Sequence, residues 1–216
     1  MFSVKTRDTL HSGPLIAVDG CSGVGKTTLV AELASRLGSL APVCRVKLPS
    51  SGPLGRLARE LLEQEAHDAV ALAAAADRAL VAESTILPAI QEGQATIIDR
   101  YVLSALALNA LSGLPHEFSY ALCSRLPRPD LSVHVFADPT VTRARLRDRD
   151  HLDHYERAEL KTASDERAAL ERSAHFLSAR GWNIVPLDVT SLTPSQASEH
   201  ICGLLEGSKR RRSEKA

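Results

Sequence analysis

The 216-residue sequence has no Cys-x-x-Cys pair; its four cysteines, Cys21, Cys44, Cys123 and Cys202, lie far apart. This spacing excludes a cysteine zinc site and a disulfide framework and fits a reducing, cytoplasmic compartment. No apolar run reaches membrane-spanning length, and the N-terminus carries charges where a signal peptide has an apolar core. The expectation is a chain with no membrane span and no leader. Net charge is missing as well, with 26 basic against 26 acidic residues, so no global attraction to nucleic acid is expected. The charge is uneven at the end of the chain, where Lys209, Arg210, Arg211, Arg212 and Lys215 face a single Glu214. It reads as a solvated tail, with nucleic-acid or partner binding as a minor alternative. No internal repeat is present.

What the chain does have is one stretch around which the rest is arranged. Leu15-Ile16-Ala17-Val18 is an apolar run that leads into Asp19-Gly20-Cys21-Ser22-Gly23-Val24-Gly25-Lys26-Thr27-Thr28 and then into a helical pattern. Gly20, Gly25, Lys26 and Thr27 satisfy the phosphate-loop spacing. In such a loop, glycines let bare backbone approach a ligand, and inward N–H groups meet a helix N-terminus to form an anion site. Gly20, Cys21, Ser22, Gly23, Val24, Gly25, Lys26, Thr27 and Thr28 are therefore the expected phosphate site. Lys26 is placed on the outer phosphates, and the Thr27 hydroxyl on Mg²⁺. The plainer reading is a strand, a turn and a helix with no ligand.

Further along, apolar strands at Pro42–Lys47, Ala95–Ile98, Leu131–Phe136 and Trp182–Leu187 alternate with helical periodicity. Pro88 is expected to kink a helical segment or to start a new one, and Pro139 and Pro194 to open helices. A charged segment from Asp150 to Glu166 is expected to precede a long helix ending near Ala179. Five strands alternating with helices imply an α/β fold: a five-stranded parallel sheet of P-loop NTPase type, with helices on both faces. Ligands then bind at the carboxyl ends of the strands, where the phosphate loop, Lys47 and Asp99-Arg100 would converge. The domain is read as 15–206, after a lead-in at 1–14 and before a disordered basic tail at 207–216.

Asp99 ends an apolar strand, as an acidic Mg²⁺ partner does; it also suits an N-cap for the helix that follows. Arg100 beside it suits bidentate binding of a phosphate group. Arg143, Arg145, Arg147 and Arg149 recur every second residue. They make either an exposed charged helix or an Arg-rich lid that brings a guanidinium onto the transferring phosphoryl group, an effect of roughly 10³ or more in rate. No Asn-Lys-x-Asp for guanine and no Leu-Ser-Gly-Gly-Gln is present, which argues against a GTPase switch and a transporter ATPase.

These residues together resemble the thymidylate kinase family of P-loop nucleoside monophosphate kinases. The likeness rests on the phosphate loop, Pro53-Leu54-Gly55, Ala75-Ala76-Asp77-Arg78, Ile98-Asp99-Arg100-Tyr101 with Ser104, Pro129-Asp130-Leu131, and Leu152-Asp153-His154-Tyr155-Glu156. It implies MgATP as donor and a nucleotide acceptor, with thymidylate first. It also implies Lys26, Arg100, Arg147 and Arg149 as catalytic residues, Thr27 and Asp99 at the metal, and Asp19, Lys47, Arg78, Arg100 and Asn109 on the acceptor. The lid would span about 143–157, and the family likeness suggests a homodimer. The departures from the family pattern gather at the acceptor side. Ser22 stands where the family has Asp, Lys47-Leu48-Pro49 where it has Arg-Glu-Pro, Ala74 where it has an aromatic, and Leu108-Asn109 where it has Tyr-Gln. Another nucleotide or small phosphorylated metabolite as acceptor, or a silent nucleotide-binding relative, therefore remains the alternative.

Overall fold

A computed structural model of the chain describes residues 13–147 and 154–213, with 146, 147, 154–164 and 208–213 described as backbone. Strands β1 (Leu15–Gly20), β2 (Val43–Lys47), β3 (Ala95–Asp99), β4 (Leu131–Phe136) and β5 (Ile184–Asp188) form one sheet in the order β2-β3-β1-β4-β5. Every neighbouring pair is parallel. The helices are α1 (Lys26–Gly38), α2 (Pro53–Glu63), α3 (His67–Val81), α4 (Leu87–Gln91), α5 (Val102–Leu111), α6 (His116–Cys123), α7 (Pro139–Arg147), α8 (His154–Ser178) and α9 (Pro194–Ser213).

The central strand explains the layering. All six residues of β1 are buried, as expected for a parallel strand covered on both faces. Its side chains alternate between two cores. Leu15 and Ala17 join one core with α5 and α8 residues such as Leu103, Leu106 and Leu170. Ile16 and Val18 join the other with Leu29 and Leu33 of α1 and Ile201 of α9. Each fully buried aliphatic side chain contributes about 1.5–3 kcal/mol, so β1 is fixed in the middle of the sheet. Beside β1 the strand order reverses: its neighbours are β3 and β4. This is where an open α/β sheet forms a crevice at the strands' carboxyl ends.

The structure departs from the sequence reading in several places, each with a local cause. A new helix, α4, does start at Pro88, from Leu87, but the helix before it also widens into a π turn at Ala82–Ile86. Proline has no N–H to donate and its ring crowds the preceding turn, which a wider turn accommodates. α8 starts at His154, inside the segment expected to be merely charged, because Ala, Glu, Arg and Leu dominate there and are strong helix formers. β5 starts at Ile184 rather than Trp182, because the Trp182 N–H closes the end of α8 on Leu177 O. α9 continues to Ser213, so the residues expected to begin a disordered tail at 207 extend the last helix.

Candidate active site

The phosphate loop leaves β1 at Gly20 and enters α1 at Lys26. Gly25 is the N-cap of α1 at φ +100°, a left-handed conformation that glycine adopts without strain. The first α1 amides thus open toward the loop with no side-chain cap, which leaves them for an anion. Lys26 is buried and folds back, its Nζ donating to Cys21 O at 2.6 Å.

From the neighbouring strand, Asp99 reaches the same place. Thr27 Oγ1 donates to Asp99 Oδ2 at 3.2 Å, joining residues 72 positions apart. Asp99 is 4% exposed, and its Oδ1 has no hydrogen-bond partner. A buried carboxylate oxygen left without a donor, beside an alcohol, is the oxygen-rich environment that suits Mg²⁺. These two residues fit the ion that the loop chemistry implies.

The capping alternative for Asp99 falls to a different residue. Tyr101 is the N-cap of α5 and has no local side-chain cap. Asp19, 82 and 85 positions upstream, accepts the N–H of Tyr101 at 2.7 Å and of Ser104 at 3.0 Å, both on Oδ1. The family resemblance places Asp19 on the acceptor. The structure instead turns it toward α5, because odd-numbered β1 side chains share the α5 face, and it is 1% exposed there.

Arg100 sits at φ +66°, a strained backbone for a residue with a side chain, of the kind that persists at functional sites. Its guanidinium donates to Ser22 Oγ at 2.6 Å and lies 3.9 Å from Glu166 of α8. Arg100 thus links the loop to the helix that follows the lid region. Arg78 on α3 is 8% exposed and has no hydrogen-bond acceptor among the described residues. A buried guanidinium in this state is costly unless an anion joins it. Lys47 is exposed at the end of β2, in register with Asp99. Asn109 is turned away: it is buried, and its amide donates to Ser119 of α6 at 3.1 Å.

The lid region adds a residue that spacing alone did not single out. Arg145 Nη1 donates to Val24 O at 2.9 Å. Arg145 also lines a cleft of about 290 Å³ with Val24, Val189, Leu192, Thr193 and Pro194. The far wall is set by a capping box at the start of α9: Thr193 N–H donates to Gln196 Oε1 at 2.9 Å, and Gln196 N–H returns to Thr193 Oγ1 at 3.2 Å. Of the two lid arginines whose side chains are described, Arg143 is exposed and Arg145 packs on the loop. The Arg147 side chain and all of Arg149 lie outside the described residues.

Titration is perturbed behind the loop. His134 on β4 pairs in register with Asp19. Burial lowers its pKa below the usual imidazole range, and Arg167 adds to this, while Asp19 and Glu171 oppose it. Burial also raises the Cys44, Cys123 and Cys202 thiols.

The comparisons with known proteins agree with this geometry. The thymidylate kinase family model matches residues 18–182. A probable thymidylate kinase from Pyrobaculum aerophilum is 35% identical over 144 residues, covering 65% of this chain and 73% of that protein. One from Pyrobaculum calidifontis is 38% identical over 147 residues, covering 67% and 75%. The thymidylate kinase of Xanthomonas campestris pv. campestris is 38% identical over 156 residues, covering 70% and 68%. Among solved structures, a thymidylate kinase from Candida albicans, reported to reveal the origin of broad substrate specificity and a novel structural element, superposes with TM-score 0.67 at 22% identity. That match covers 92% of this chain and 93% of the other, and it concerns the fold. With the family match spanning most of the chain and the phosphate loop built as its chemistry requires, the chain belongs to the thymidylate kinase family of nucleoside monophosphate kinases.

Proposed function

We propose that the chain transfers the γ-phosphoryl group of MgATP to a nucleoside monophosphate, with thymidylate as the first acceptor. The observation that carries this reading is the meeting of Thr27 and Asp99 at 3.2 Å, with Arg100 reaching Ser22 of the same loop. Loop backbone and Lys26 hold the donor phosphates, and Arg145 flanks the donor in the cleft against Leu192 and Pro194. Thr27 and Asp99 hold Mg²⁺, which supplies charge neutralisation on the β- and γ-phosphates. Arg78 and Arg100, with Lys47 at the rim, take the acceptor phosphate. Phosphoryl transfer asks for positioning and electrostatic stabilisation more than for a base. The arginines around the loop supply both, with Arg147 and Arg149 of the lid assigned to the transferring group.

A second acceptor has specific support. The Ser22 hydroxyl is already engaged by Arg100, and Ala74 packs against Ala58 of α2. These two departures from the family pattern therefore present neither a carboxylate nor a ring to an acceptor. Coupled ADP release measured across nucleoside monophosphates, with Lys26→Ala as control, tests the reading. Turnover that depends on one acceptor supports it. ADP release without any acceptor, or wild-type rates equal to Lys26→Ala on every acceptor, refutes it.

The proposal includes a homodimer and a cytoplasmic setting. Leu72 and Leu80 of α3 and Leu57 of α2 are 53%, 50% and 42% exposed on neighbouring helices; apolar patches of this kind are usually covered. The cysteines are free thiols, and no described helix is long and apolar enough to cross a membrane.

A further inference from the structure

At the open end of β2 the chain turns into α2, and one residue of that turn is gripped from both helices. Ser50 donates its N–H to Asp77 Oδ2 at 2.7 Å and its hydroxyl to Asp77 Oδ1 at 2.5 Å. The same hydroxyl oxygen accepts the Gly52 N–H at 3.0 Å, and Gly52 is the N-cap of α2. From α2, Arg59 donates to Pro49 O at 3.0 Å and to Ser50 O at 2.7 Å. Close packing makes this grip possible. Ala58 of α2 meets Ala73 and Ala74 of α3, and a Cβ on Gly55 would lie 2.1 Å from Ser50 O.

A surface turn needs no such hold. Asp77 is 1% exposed, and both carboxylate oxygens are engaged by a residue 27 positions away. A carboxylate buried to this depth is tolerated because charge-assisted hydrogen bonds to it are strong and directional. Its neighbour in sequence is Arg78, the buried guanidinium with no acceptor among the described residues. The gripped segment begins at Leu48, whose N–H donates to Asp99 O at 3.0 Å. The clamp therefore connects the Arg78 helix to the end of β2, directly beside the catalytic strand.

We propose that Asp77 is a positioning residue for the acceptor: by locking Ser50 it holds the 48–52 segment in place next to Arg78, so that the acceptor subsite is formed before the acceptor arrives. This role rests on the kinase reading above. A preformed wall lowers the ordering cost of binding, so its loss should appear in the acceptor KM and leave the donor side unmoved.

The test combines steady-state kinetics with amide hydrogen exchange on Asp77→Asn, Ser50→Ala and Arg59→Met. Asp77→Asn should raise the acceptor KM about tenfold, the scale of one lost charge-assisted hydrogen bond. The ATP KM and the kcat should stay within about twofold. The Ser50 and Gly52 amides should exchange faster in Asp77→Asn than in the wild type. Ser50→Ala keeps the backbone bond and should raise the acceptor KM about threefold. If Asp77→Asn does not fold, Ser50→Ala and Arg59→Met decide the matter, since both retain Asp77. An unchanged acceptor KM in the folded variants, or acceptor and ATP KM values rising together, overturns the positioning role alone. Inactivity of the wild type on every monophosphate overturns the kinase reading and this role with it.

Discussion

Replacing Asp19 by Ala separates the two roles an acidic residue at the start of the phosphate loop can have. In the structure one oxygen of Asp19 accepts two backbone N–H groups, at 2.7 and 3.0 Å, at the N-terminus of α5. That end of the helix carries partial positive charge, which a carboxylate stabilises. Alanine leaves both amides buried without an acceptor, since Tyr101 is 1% and Ser104 4% exposed. Each orphaned amide costs about 1–3 kcal/mol, so the loss for the pair is about 2–6 kcal/mol. In a chain of this size each kcal/mol moves Tm by about 2–4 °C, which predicts a fall on the order of 10 °C. Differential scanning fluorimetry reads that fall, and kinetics well below the new midpoint read the substrate side. Asp19→Asn keeps a carbonyl oxygen in place and should fall by less than half as much. A change in Tm of under about 2 °C in Asp19→Ala, together with a raised acceptor KM, would show that Asp19 binds substrate and that the capping argument is wrong.

Three further outcomes follow from the geometry. Arg145→Ala removes one wall of the cleft beside Val24; it should raise the ATP KM about tenfold and leave the acceptor KM alone, as initial-rate kinetics with each substrate varied will show. Arg78→Met removes a buried guanidinium that has no acceptor among the described residues; it should stabilise the free protein by about 1–3 kcal/mol in urea denaturation while abolishing acceptor-dependent turnover. His134 has its pKa lowered in the folded state, chiefly by burial. Its stabilising effect is therefore present above the ordinary imidazole pKa of about 6.5 and is lost as pH falls through the lower folded value. Wild-type Tm should drop across that acidic window, and His134→Phe should drop less.

Much of the fold is legible in the chain because its signals are local. An apolar run followed by Gly-rich spacing and Lys26-Thr27 states the loop, and Pro139 and Pro194 mark helix starts that the structure has at those residues. The errors in extent arise where tertiary context or intrinsic propensity outweighs a charge pattern. α8 runs through its charged segment to meet α5, and Arg210 to Arg212 extend a helix already anchored by Ile201 and Leu205. Asn109 was read as facing the acceptor, but its hydrogen bond goes to Ser119; the direction in which a helical side chain points depends on what packs beside it.

Asp19 and Asp99 show where sequence stops. Each stands at the end of an apolar strand; the sequence reading gives Asp99 to Mg²⁺ or an N-cap, and the family resemblance gives Asp19 to the acceptor. The sequence alone determined that two carboxylates stand at strand ends beside a phosphate loop, because strand period and glycine spacing are short-range facts. Only the strand order β2-β3-β1-β4-β5 set which contacts each one makes. Placing β1 beside β3 puts Asp99 against Thr27 and leaves Asp19 under the first turn of α5. The same tertiary packing set Arg145 against Val24 of the loop, and joined Asp77 to Ser50. Contacts between residues tens of positions apart are settled by how the two cores close on the sheet, which the local pattern does not encode.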